Sequence, residues 1–249
     1  MEKSVIETLE ITPSILQVVM KDEEYKNAFS PELTDALVRV FENIASNEKY
    51  KAVILTGYSN YFASGGSMQG LLDIYDKKIK FSDSNLYSLA LNCPIPVISA
   101  MQGHAIGGGF VMGLFADFVV LSRESIYTTN FMRYGFTPGM GATYILPKKL
   151  GLALSEEMLL SGSNFRGDDL EKRGIPFKVL ARSEVVPYAQ QLANQLAEKP
   201  RLALVTLKNH LVKQIRQELS KVIDEELTMH EITFHHPEVK ERILNFFGK

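Results

Sequence analysis

The residues best suited to chemistry in this 249-residue chain begin at Gly107, Gly108 and Gly109, inside the run PVISAMQGHAIGGGFVMGLFADFVVL from Pro96 to Leu121. The text reads as apolar strand, glycine-rich turn, buried helix and second strand. The first N–H groups of a helix have no intrahelical partner, and without Cβ atoms a polar ligand atom can approach them closely. Such a turn can hold a developing oxyanion. Taken alone, three glycines serve equally well to pack a helix tightly on a sheet. Gly103, Gly107 and Gly108 do not make the dinucleotide pattern GxGxxG, and no GK[ST] follows, so the spacing argues against nucleotide phosphates. A second glycine turn, Phe62-Ala-Ser-Gly-Gly-Ser67, follows the apolar strand Ala52–Thr56 after a short loop. Two such turns can offer two N–H donors to one oxygen.

The elements that must position these turns alternate in type. Short β-rich runs (Ile15–Met20, Lys51–Thr56, Val97–Ala100, Phe118–Leu121) are separated by helical segments such as Pro31–Ala45, which predicts an α/β fold with crossovers. From Val185 onward the strand signal is lost. Val186–Ala197, Leu202–Lys213 and Ile215–His230 carry apolar residues at three- and four-residue spacing, as amphipathic helices do. The expected division is a core over residues 1–185 and a C-terminal helical region over 186–249. With 45% hydrophobic residues the chain can bury a sizeable core. A net charge of −2 leaves no electrostatic footprint for nucleic acid. Cys93 is the only cysteine and cannot form an internal disulfide. No apolar run approaches the roughly 20 residues of a membrane helix, and the cytoplasm is the default compartment.

Three blocks, FASGGS, QGHAIGGGF and GFTPGMGATYIL, resemble the signatures of the enoyl-CoA hydratase/isomerase (crotonase) superfamily, and QVVMKDEEYKNAFSPELTDAL is similar to its first strand and helix. The resemblance runs from about residue 15 to the C-terminus. It implies the crotonase fold, a repeated ββα spiral with a C-terminal helical region that covers the acyl pocket and packs against neighbouring subunits in a trimer or hexamer. It also implies a thioester enolate stabilised by two backbone amides, which fall here on Gly66 and Gly108.

The pattern departs from a hydratase at the two positions where that family carries catalytic glutamates. Val111 and Phe131 stand there, and neither can shuttle a proton. Decarboxylation makes an enolate without a base, because departing CO₂ leaves its electron pair behind. It calls for cations and acids instead. Candidates are Lys80, in the variable lid segment Met68–Leu86, and His230, in LTMHEITFHH. On residue type alone Lys80 is as well explained by a solvated face with Lys77 and Lys78, and His230 by a surface ion pair with Glu226 or Glu231.

The text as a whole most resembles the decarboxylating crotonase homologues of polyketide β-branching cassettes. That likeness implies Lys80 and His230 as the catalytic pair, with Val111, Phe131, Tyr75 and Tyr87 around the substrate. The implied reaction converts a 3-methylglutaconyl thioester on an acyl carrier protein into a 3-methylcrotonyl-type thioester. No metal or redox cofactor is implied; phosphopantetheine, on carrier protein or CoA, carries the substrate. Lys77 and Lys78, with Lys213 and Arg216, are the expected basic contacts for an acidic carrier protein. Two alternatives stay open: an enoyl-thioester isomerase or hydratase using unusual residues, and an inactive crotonase-fold scaffold. His104 is expected to orient its own loop, and His210 to lie on a helix surface.

Overall fold

A computed structural model describes residues 4–247. Six strands, Ile6–Thr12, Ile15–Met20, Ala52–Thr56, Val97–Met101, Phe118–Ser122 and Lys178–Leu180, form one sheet in that spatial order. The first pair is antiparallel and every later pair is parallel. Side chains alternate across the sheet with the period of two that strands impose. Val53 and Leu55 enter the main core, while Ala52 and Ile54 enter a second cluster beneath Val185, Ala189 and Ala193. Those three belong to the helix Arg182–Ala197, which lies on the far face of the sheet.

A second, smaller sheet carries the spiral. Three times the chain leaves a long-sheet strand through a tight turn into a short strand: Tyr61–Ala63, His104–Ile106 and Ile126–Thr128. The three pair in parallel. Each then enters a helical segment, namely Met68–Tyr75, Gly108–Leu114 and the 3₁₀ turn Asn130–Tyr134. Successive turns stack so closely that a Cβ on Gly103 would stand 2.4 Å from the Asn60 carbonyl carbon. Only glycine fits there.

Local signals start the helices where the sequence places them. Ser30 Oγ accepts from Leu33 N at 3.1 Å, Pro31 opens the helix Pro31–Ser46, and Leu33, Leu37, Phe41 and Ile44 form its buried stripe. The two C-terminal segments read from periodicity are one helix, Arg201–Thr233. No glycine or proline interrupts the sequence between them, so nothing breaks it. Buried Lys208 fastens this helix to the core through Asp117 (2.7 Å) and the carbonyls of Ala90 (2.9 Å) and Ile95 (3.0 Å). A final helix, Pro237–Phe247, begins at the junction after His235 and His236.

Candidate active site

Both glycine turns open into one cavity, whose wall includes Gly65, Gly66, Gly107 and Gly108. The turns touch: a Cβ on Gly65 would stand 3.4 Å from Gly108 N. Gly107 adopts φ +53°, a left-handed conformation that glycine tolerates, and turns the chain into the helix Gly108–Leu114. Gly108 is the first residue of that helix, so its N–H has no intrahelical partner. Gly66 is held by parallel pairing of Gly65–Gly66 with Ala28–Phe29. The preceding loop is pinned by Asn27 Nδ2, which donates to the carbonyls of Met20 (3.0 Å) and Phe62 (2.9 Å). Immediately after Gly66, Ser67 Oγ accepts from Gly70 N at 3.1 Å and starts the lid helix Met68–Tyr75.

Lys80 and His230 line the same cavity. His230 is buried on the long helix, with rings of Phe81 at 4.9 Å, Phe234 at 5.0 Å and Phe136 at 6.0 Å. Its Nε2 lies 2.8 Å from the Thr137 carbonyl. A carbonyl only accepts, so Nε2 carries the proton and Nδ1 is the nitrogen left over. Burial pushes the imidazole pKa down to about 4, against hydrogen bonds to the Thr137 and Pro138 backbone that favour the charged form. The resting side chain is therefore neutral at neutral pH. Lys80 is exposed, and its backbone N donates to Asp83 Oδ2 at 2.7 Å, which starts the single 3₁₀ turn Phe81–Asp83.

Beside these two, Lys77 pairs with Glu231 at 2.9 Å, and Lys78 with Asp73 at 2.9 Å and Asp76 at 3.3 Å. The lid is thus strapped to the C-terminal helices, with His235 Nδ1 against the Tyr75 carbonyl at 2.8 Å and Lys240 against Asp76 at 3.7 Å. The expected basic patch at Lys77 and Lys78 is largely neutralised by these carboxylates. Arg216 is likewise engaged, donating to the Leu91 carbonyl at 2.7 Å and to Asn209 at 2.9 Å, while Lys213 is exposed.

Residues 10–249 match the enoyl-CoA hydratase/isomerase family. The chain belongs to that family. It is 65% identical over 248 residues to the bacillaene synthase decarboxylase PksI of Bacillus subtilis (strain 168), covering 100% of each protein. It superposes with a TM-score of 0.97 on a structure from a dehydratase/decarboxylase enzyme couple involved in polyketide β-branching, at 65% identity over 99% of this chain and 100% of that one. The ECH2 decarboxylase domain of CurF from Lyngbya majuscula matches with a TM-score of 0.94 at 46% identity, over 98% of this chain and 100% of that one. The carnitinyl-CoA dehydratase of Escherichia coli (strain K12) is more distant, 28% identical over 78% of this chain and 76% of that protein.

Phe131 and Tyr87 line the cavity as well. Burial raises the Tyr87 phenol pKa, with the Glu226 charge adding to it. Val111 and Tyr75 do not form part of the wall. Val111 is fully buried and packs into the main core with Phe110, Met112 and Leu114 of the same helix. Tyr75 ends the lid helix and turns its ring under Lys240, whose Nζ lies 5.2 Å from the ring centre. His104 Nδ1 accepts from Ile126 N at 2.9 Å and so ties two spiral turns together, and His210 is exposed.

The sequence reading missed Phe81, Phe136, Met140 and Thr137. The three apolar residues carry no mark that separates a pocket wall from a core, and Thr137 contributes only a backbone carbonyl. Glu226, by residue type a surface partner for His230, is fully buried. Among the described residues no cluster of His, Cys, Asp and Glu could hold a metal ion, and no helix is long and apolar enough to cross a membrane.

Proposed function

We propose that the protein decarboxylates a 3-methylglutaconyl thioester carried on an acyl carrier protein, giving a 3-methylcrotonyl-type thioester in polyketide β-branching. One observation carries the reading: a single cavity joins the bare Gly66 and Gly108 turns to Lys80 and His230, with phenyl at Phe131 in place of a catalytic carboxylate. The 65% identity to a named decarboxylase over the full chain supports it.

The thioester oxygen lies against the Gly66 and Gly108 amides, and the distal carboxylate against Lys80 and His230. The bond from the γ carbon to the carboxylate breaks, and its electron pair passes through the double bond to the thioester oxygen. Fixed N–H donors stabilise that charge as it develops. Phe81, Phe136 and Phe234 disfavour a carboxylate relative to neutral CO₂. The dienolate then needs one proton, since a carboxylate plus a proton yields the shortened product plus CO₂. His230 Nδ1, protonated when an anionic substrate offsets the burial penalty, supplies it. Lys80 orients the departing carboxylate. Its exposed position suits that role, because a tight ground-state pair would raise the barrier.

The protein is a soluble partner of the carrier protein in this reading and associates with copies of itself as a trimer or hexamer. Incubation with methylglutaconyl thioesters of carrier protein and of CoA, followed by mass spectrometry, tests the reaction. Loss of CO₂ is expected, faster from the carrier protein. An unchanged mass, or addition of water, overturns it.

A further inference from the structure

Three residues of the long helix, Glu226, His230 and Thr233, fall on one face at the spacing i, i+4, i+7 and grip a single loop, Thr137–Thr143. Glu226 is fully buried, and its two oxygens accept three hydrogen bonds from the loop: Oε2 from Gly141 N at 2.7 Å, and Oε1 from Thr143 N at 3.0 Å and Thr143 Oγ1 at 2.7 Å. Thr233 Oγ1 donates back to the Met229 carbonyl at 2.9 Å, so it can only accept from the loop. It does so from Thr137 N at 3.2 Å and Thr137 Oγ1 at 3.0 Å. Between these two stitches sits the Thr137 carbonyl that holds His230 Nε2.

The loop has a reason to need holding. Met140 adopts φ +63° and Gly141 φ +76°, and a left-handed methionine is a strained backbone that persists only where its surroundings enforce it. Met140 and Gly139 both line the cavity, and Gly139 lies against Phe81 and the His230 ring. A relaxed loop would move the wall and the Thr137 carbonyl together. Without that carbonyl the hydrogen bond that places the proton on Nε2 is lost.

Resting on the proposed reaction, we infer that Glu226 and Thr233 are positioning residues for His230. They hold the strained loop so that the Thr137 carbonyl captures Nε2–H, and they thereby reserve Nδ1 for the substrate carboxylate and for proton delivery. Neither touches the reacting atoms. Their effect belongs on turnover more than on binding, because misplacing a catalytic group slows chemistry even where substrate still fits.

The test pairs Glu226→Gln, which sets an amide NH₂ against backbone donors, with Thr233→Val, which keeps volume and removes the hydroxyl. Ring ¹⁵N shifts of His230, assigned by difference against His230→Gln, report the tautomer without any turnover. Expected for wild type is the Nε2–H form; for both variants, a mixed tautomer and a kcat lowered by about 10–10² fold with KM within about threefold. A folded Thr233→Val protein with an unchanged tautomer and unchanged kcat overturns the proposal, and it decides the matter should Glu226→Gln not fold. If wild type releases no CO₂, the reaction fails as proposed, while the tautomer comparison still decides whether the clamp sets His230.

Discussion

Gly66 and Gly108 reach the cavity as backbone, at turns whose register is fixed by two sheets, whereas Lys80 and His230 reach it as side chains from a surface lid and a distant C-terminal helix. The glycine wall is closely packed around the face it turns to the cavity, with Met140 and Phe29 beside Gly108 and Leu71 beside Gly66. The lid carries an exposed lysine and is strapped down by surface ion pairs, Lys77 with Glu231 and Asp76 with Lys240, that contribute only about 0–1 kcal/mol each. A backbone oxyanion site survives any side-chain change that spares its glycines, so it suits the step shared by a whole family. Side chains on peripheral elements can be replaced without disturbing the sheets. They are where the reaction of one member is set.

The sharpest way to break this division is at the side-chain wall. His230→Ala should lower kcat by about 10²–10⁴ fold, the span of a lost general acid, and Lys80→Ala should cause a severe loss with the fold intact. Unchanged CO₂ release from both variants would remove that wall from the chemistry. At the glycine wall, Gly108→Pro deletes one N–H at the first helical position, where proline is tolerated, and should cost about 10²–10³ in kcat. Gly108→Ala keeps the N–H and serves as control; equal losses in both would trace the effect to crowding against Met140.

A smaller effect separates burial from catalysis. In the folded protein the His230 pKa falls from 6.5 to about 4, so between those values the unfolded chain binds the extra proton. The stabilisation from keeping His230 neutral is complete above pH 6.5 and is lost as pH falls toward 4, a share of up to about 3 kcal/mol. Urea titrations across that window should show it, and His230→Gln should flatten it. An equally steep profile in the variant would place the titrating group elsewhere.

The smallest effect is expected at the strap. Lys77→Ala removes the exposed pair with Glu231 and should change stability by less than about 1 kcal/mol and turnover of a short pantetheine thioester by less than about twofold. A selective loss on carrier-bound substrate would mark Lys77 as a carrier contact despite its internal partner. Equal losses on both substrates would mean that the strap sets the lid.

Much of the glycine wall was legible in the sequence, because the requirement that selects glycine is local. Strand, tight turn and unpartnered helix start are all read within a few residues, and the apolar runs placed the central strands closely. The short strands of the second sheet were not legible as such. Tyr61–Ala63, His104–Ile106 and Ile126–Thr128 are three residues long, too brief for alternation to show, and they exist because the spiral stacks them.

On the other wall the sequence supplied residue types and family likeness, and the tertiary structure supplied everything that depends on surroundings. Sequence determined that Val111 and Phe131 are apolar and that Lys80 and His230 were available. Only folding decided that Phe131 faces the cavity while Val111 and Tyr75 do not, and that Glu226, apparently a surface charge, is a fully buried clamp. It also decided that His230 is neutral with Nε2 already committed. Helical periodicity tells which residues share a face, but desolvation and hydrogen bonding depend on what packs against that face. Here that is a loop distant in sequence, brought to Glu226 and His230 by the long helix.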